Sequence, residues 1–143
     1  AVLTANLTSL LSMTVSSAPS FNFTNSEDYA NGIVLNGPSA GNIVVSSSLP
    51  YDISVRSSTS GATNSSGASI PVNSFTVDIL SGAGGTNINP VNLSTADQLV
   101  VDEGVPSMLK VLDLEYRALG GNTFLGKPAG AYTATLTYTL SVD

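Results

Sequence analysis

The tightest constraint on this chain lies at its C-terminal end, where residues 131–142 read Ala-Tyr-Thr-Ala-Thr-Leu-Thr-Tyr-Thr-Leu-Ser-Val. Tyr132, Ala134, Leu136, Tyr138 and Leu140 fall on one side of an extended chain, and Thr133, Thr135, Thr137, Thr139 and Ser141 on the other. Successive side chains in a strand point to opposite faces, so the segment predicts a half-buried β-strand with a fixed register. A slip of one residue would carry a row of hydroxyls into the core.

Residues 1–15 follow the same code. Ala1, Leu3, Ala5, Leu7, Leu11, Met13 and Val15 line one face, with Val2, Thr4, Asn6, Thr8, Ser12 and Thr14 opposite. A continuous strand of that length would be about three times the usual 5–6 residues. It must bend or split, and Ser9-Leu10 interrupts the apolar face. Residues 1–9 therefore read as a separable arm and residues 10–143 as a single domain. An arm with one apolar face can complete a neighbour's sheet by strand addition. It can equally pair within its own molecule, as in a self-contained binding module that recognises glycans or host surfaces.

Between the two ends, short alternating runs are punctuated by turn residues. Phe21 and Phe23 mark a brief strand after the break at Ser16-Ser17-Ala18-Pro19, and Ile33-Val34-Leu35 marks another. Residues 42–48 and 51–56 read as a hairpin bent at Leu49-Pro50. Residues 57–69 offer little to bury and read as an exposed loop, as does the glycine-rich stretch 81–90. Phe75 to Leu80 alternates, residues 91–101 suggest short strands around Ala96-Asp97, and Leu112, Leu114 and Tyr116 alternate within 109–117. Residues 25–31 are polar, and no helix is predicted. The pattern predicts an all-β, immunoglobulin-like antiparallel β-sandwich.

Charge narrows the function. Charged residues make up 10% of the chain, below the roughly 25% usual for soluble domains, so Ser, Thr and Asn cover the surface. Such faces repel one another little, which suits assembly. The net charge is −6, with Arg56, Lys110, Arg117 and Lys127 the only cations. That argues against nucleic-acid partners and anionic lipid. No stretch approaches the roughly 20 apolar residues of a membrane span. The chain opens at Ala1 inside a strand pattern, as expected for a product cleaved at a small-residue site.

With no His and no Cys, the usual nucleophilic triads, zinc sites and disulfides have no ligands or partners. Asp113 and Glu115 share one strand face but read as a solvated surface pair. Asp97, Asp102 and Glu103 could offer oxygen to calcium, though their spacing matches no dedicated loop. Gly82-Ala83-Gly84-Gly85 lacks the Lys and helix of a phosphate loop. Acceptor patterns for N-glycosylation start at Asn6, Asn22, Asn64 and Asn92, and only Asn64 falls in an obvious loop. Tyr29, in a polar loop, is the aromatic most exposed to a ligand. No enzymatic activity, cofactor or metal is expected.

The closing strand and the glycine ahead of it, Gly130-Ala131-Tyr132-Thr133-Ala134-Thr135-Leu136-Thr137-Tyr138-Thr139-Leu140, resemble those of secreted bacterial β-sandwich pilins and fimbrial subunits of chaperone–usher or spore-coat-protein-U type. The opening Ala-Val-Leu-Thr-Ala-Asn-Leu-Thr, followed by Leu11-Ser12-Met13-Thr14-Val15, is similar to their N-terminal extension and first strand. The chain departs from many members in lacking cysteine, and from the family's C-terminus in placing Tyr138 further in. The resemblance implies an incomplete sandwich in a filament at the cell surface. Ala1, Leu3, Ala5 and Leu7 would be the donor strand. Tyr132, Leu136, Tyr138 and Leu140 would line the acceptor groove of the adjacent identical subunit. It also implies a periplasmic chaperone and an outer-membrane usher as assembly partners.

Overall fold

The computed structural model describes residues 1–80, 86, 87 and 90–143. In chain order its elements are β1 (Leu11–Ser16), α1 (Ser26–Asn31), β2 (Ile33–Leu35), β3 (Asn42–Ser47), β4 (Tyr51–Ser57), β5 (Gly61–Thr63), β6 (Ser69–Pro71), β7 (Phe75–Ile79), β8 (Thr86–Asn87), β9 (Val91–Asn92), β10 (Gln98–Gly104), β11 (Ser107–Ala118) and β12 (Leu136–Val142). Short 3-10 turns at Gly37–Ser39, Val72–Ser74 and Gly121–Phe124 join some of them. Among the described residues the chain is predominantly β, its sheets are antiparallel, and no barrel closes.

One sheet runs β1-β3-β11-β7-β9, with β2 on the far end of β11, and the other runs β12-β4-β10-β8. A small β5-β6 ladder stands apart. The alternating apolar faces of the two larger sheets meet in one core. Ile43, Val45, Leu112, Leu114 and Val77 come from the first sheet, and Tyr51, Ile53, Val55, Val100 and Val101 from the second. Nearly all are fully buried. Each contributes on the order of 1.5–3 kcal/mol relative to exposure. The registers keep apolar partners opposite one another, as in Met13↔Val45, Leu112↔Ile43 and Tyr138↔Val55.

Several local expectations are corrected. Residues 42–48 and 51–56 are strands but not a hairpin, because β3 pairs with β1 and β11 while β4 lies in the opposite sheet. Both strands bury an apolar face, and Pro50, which lacks a donor, breaks the ladder between them. The polar run at 25–31 is a short helix. Asn25 caps it by accepting from the Asp28 N–H at 2.9 Å. Glu27 and Asp28 sit in its first turn, where acidic groups are favourable. Phe21 and Phe23 carry no strand. The closing strand begins at Leu136, with Thr133 making only an isolated bridge to Thr63. The opening strand begins at Leu11, and residues 1–10 have no regular structure and are exposed. The stretch 81–90 falls largely outside the described residues.

The loop at 57–69 is more ordered than its composition suggests. Gly61 and Ala62 of β5 are buried. At the open tip, Asn64 Oδ1 accepts from the N–H groups of Ser66 and Ala68 at 3.1 and 2.8 Å. A short tag inserted between Ser65 and Ser66 should leave the thermal midpoint nearly unchanged, because both flanking residues are exposed. Calorimetry of the tagged chain checks this.

Tyr51 is fully buried, and its ring packs where Gly104 of β10 has no Cβ; a methyl there would approach the ring to 2.5 Å. Its hydroxyl has no hydrogen-bond partner among the described residues. An orphaned buried donor costs about 1–3 kcal/mol. Tyr51→Phe should therefore raise stability by about 1 kcal/mol, read as a higher urea midpoint with unchanged slope.

Candidate functional site

The sandwich is open along one side. β1 ends the first sheet and β12 ends the second, and the two lie side by side with no ladder between them. The backbone of the closing strand explains what this edge offers. Thr133 exchanges both its bonds with Thr63, at 3.0 and 2.9 Å. The Thr135 carbonyl accepts from the Ser58 N–H at 2.9 Å, and the Asp143 N–H donates to Pro50 at 3.0 Å. Odd-numbered residues thus spend their backbone groups on the β4 side. Backbone direction alternates along an antiparallel strand, so those of Ala134, Leu136, Tyr138 and Leu140 point to the open edge. Leu136, Tyr138 and Leu140 turn their side chains toward the core and are half-buried against it, whereas Ala134, ahead of β12, is exposed.

Two adjoining cavities fill the opening. The smaller, about 510 Å³, lies among Val15, Ser17, Tyr116, Leu136 and Tyr138. The larger, about 670 Å³, is lined by Phe21, Phe23, Phe75, Phe124 and Tyr132, with Lys127 at its margin. Pro19 and Ala134 line both. Together they form a groove with residues 15–24 as one lip and residues 127–138 as the other. The aromatic end is a packed cluster, with Phe23 stacked on Phe124 at 4.8 Å and Phe75 edge-on to Phe124 at 5.6 Å. Tyr29 packs on Phe23 at 5.2 Å yet remains exposed.

A chain of hydroxyls ties the lips at the floor of the smaller cavity. Ser17 Oγ donates to the Ala40 carbonyl at 2.7 Å and lies 2.9 Å from the Tyr116 hydroxyl. The Tyr116 hydroxyl in turn hydrogen-bonds that of Tyr138. Burial pushes both phenols above their ordinary range, and for Tyr138 the neighbouring Tyr116 adds to the effect. Both therefore stay neutral at any physiological pH, and the floor carries no titratable charge.

Ala1, Leu3, Ala5 and Leu7 are all exposed, Leu3 at 97% and Leu7 at 95%, so the arm does not occupy its own groove. The arm joins the body at Leu10, whose N–H donates to Ser48 Oγ at 2.8 Å and whose carbonyl accepts from the Ser48 N–H at 2.9 Å. Among the expected groove residues, Tyr132 lines the larger cavity, and Leu136 and Tyr138 the smaller. Leu140 packs against the core beyond both. Sequence reasoning missed Ser17, Pro19, Tyr116 and Ala134. Ala134 sits on the predicted inward face and was the most accessible signal. Ser17 and Pro19 look like a chain break, and nothing in their sequence places them beside the last strand.

The acidic residues gather elsewhere. The carboxylates of Asp52, Asp102 and Asp143 lie within 4.8 Å of one another on the outer face of the second sheet, and Glu103 adjoins them, its N–H donating to Asp52 Oδ1 at 2.9 Å and its side chain hydrogen-bonded to Asp143, whereas Asp97 is not among them. Glu115 is paired with Arg117 at 2.9 Å on the outer face of β11. Partial desolvation and the neighbouring Asp52 raise Asp102 and Asp143 above the ordinary carboxylate range, and desolvation raises Asp78. A carboxyl whose folded pKa is raised binds its proton more readily in the folded state. Stability should then rise as pH falls from neutral toward the ordinary carboxylate value near 4, and the gain should saturate below it. Thermal midpoints measured across that window check the sign, and Asp102→Asn should flatten the slope.

No protein-family model matches the chain, and no curated protein is similar to it. Among the described residues, no helix is long and apolar enough to cross a membrane.

Proposed function

We propose that this chain is a structural subunit of an extracellular bacterial filament, a pilin or fimbrial subunit that polymerises by donor-strand exchange. The arm of one copy, through Ala1, Leu3, Ala5 and Leu7, fills the groove between β1 and β12 of the next. The observation that carries the reading is the pairing of an exposed apolar arm with an open, half-buried groove in one molecule. Neither feature is comfortable alone. An exposed strand edge invites uncontrolled pairing, and exposed leucines invite aggregation. Each removes the other's hazard when two copies meet. The contact is head-to-tail, which generates open fibres rather than closed rings. Burying Leu3 and Leu7 contributes on the order of 3–6 kcal/mol per joint before backbone pairing.

The reading places the protein at the cell surface, assigns it no catalytic step, and makes a periplasmic chaperone and outer-membrane usher its natural assembly partners. The immunoglobulin-like description of the sandwich and its completion by a donor strand belong to the same proposal. The test is electron microscopy and size-exclusion chromatography of the purified chain over a concentration series. Filaments, or a ladder of oligomers, are expected. A chain that stays monomeric at the highest concentration would instead favour the self-contained binding module.

A further inference from the structure

We infer that the incoming arm takes one register, set by Ala134, in which Leu7 of one copy seats over Ala134 of the next. This rests on the arm-exchange reading proposed above, and adds which residue selects the partner's position. The open edge allows only some registers. Ala134, Leu136 and Tyr138 present backbone groups to the edge and side chains to the groove, and Leu140 continues the row beyond it. An arm that points Ala1, Leu3, Ala5 and Leu7 inward must set its odd residues against these even ones. Permitted registers then differ by steps of two residues.

Side-chain size chooses among them. Every ladder described in this fold is antiparallel, and the arm is taken to follow suit. With Leu7 over Ala134, Ala5 meets Leu136, Leu3 meets Tyr138 and Ala1 meets Leu140. Small faces large at three of these steps, and Leu3 covers the flat of a ring. Shifted two residues one way, Leu7 meets Leu136, which overfills the groove, while Ser9 meets Ala134 and leaves a void. Shifted the other way, Leu3 meets Leu136 and Ala5 meets Ala134, with the same two faults. Close-packed interiors penalise both overfilling and voids. Ala134 and Pro19 are the residues common to both cavities, so Leu7 comes to the point where the two cavities adjoin.

Because the chain has no cysteine, the register can be read by disulfide formation without background. Ala134→Cys is combined in the full-length chain with Leu3→Cys, Ala5→Cys, Leu7→Cys or Ser9→Cys in turn, and each is assembled, oxidised and run without reductant. Opposed strand residues lie within disulfide reach, whereas residues two steps away do not. A covalent ladder is expected with Leu7→Cys and should be lost with the others. A ladder with Leu3→Cys, Ala5→Cys or Ser9→Cys would show a shifted or reversed arm. Either overturns the register while leaving arm exchange standing. A cross-linked monomer in place of a ladder would put the arm in its own groove and overturn both. If no pair cross-links although filaments form, Ala134 does not face the arm and the inference fails. A size swap supplies the second readout. Ala134→Leu should lose filaments while keeping its β-type circular dichroism, and adding Leu7→Ala should restore them. Failure of that restoration in a folded chain overturns the inference.

Discussion

A chain carrying Leu3→Asp and Leu7→Asp should form no filaments and yet keep its fold. Both leucines are almost fully exposed in the single molecule, so the change removes no contact from the body. Seated in a neighbour's groove, each would bury a carboxylate with no partner. That cost adds to the roughly 1.5–3 kcal/mol of lost apolar burial per residue, and the joint has little else to offset it. Electron microscopy should show no fibres, and circular dichroism should match the parent. The reverse outcome, a double mutant that unfolds, would mean that residues 1–9 belong to their own sandwich.

The second large effect is expected at Gly41. It has φ +82° just before β3, and a Cβ built there would lie 1.9 Å from the Ser16 carbonyl oxygen. The obstacle is backbone, held by the β1–β3 ladder that pairs Ser16 with Asn42. Gly41→Ala must therefore accept a left-handed conformation and also push the end of β1 away. Together these should cost about 3 kcal/mol or more. For a domain of this size the melting midpoint should fall by about 10 °C. The displaced segment carries Ser17, whose hydroxyl reaches Ala40 and Tyr116. The same substitution should thus loosen the groove lip and slow assembly in whatever fraction remains folded.

What could be read from the chain alone divides along a physical line. Period-two alternation revealed the inward faces of β4, β7, β11 and β12, because burial on one face leaves a local imprint. The same imprint marked residues 1–8 as fit to pair, and the break at Ser9-Leu10 set them apart as an arm: they alternate as cleanly as any strand here and have no partner strand among the described residues. Alternation reports fitness to pair, and leaves open where the partner is. The β3–β4 link was misread as a hairpin because the choice of sheet is a long-range matter. The helix at Ser26–Asn31 was missed because it is held by a cap and by acidic first-turn residues, with no apolar stripe to reveal it. The groove was half visible. Its β12 lip followed from pattern, whereas Ser17, Pro19 and Phe21 reach it through a segment without regular structure.

The bulge in β11 bears on where the proposed filament would grow. Between Ser107↔Ser47 and Lys110↔Val45 one extra residue is accommodated, and Leu109 takes φ +53° with its N–H on Ser46 Oγ at 2.8 Å. Met108, Leu109 and Val111 are left exposed, a stretch sticky enough to recruit a stray strand. A stray strand, however, needs a straight row of alternating donors and acceptors, and a left-handed residue in the row spoils it. β12, by contrast, runs from Leu136 to Val142 in unbroken register on β4. The molecule therefore distinguishes its own surfaces: one apolar margin is bent out of use as a template, and the other is kept straight, which under the proposed exchange would bias every added chain toward the same side.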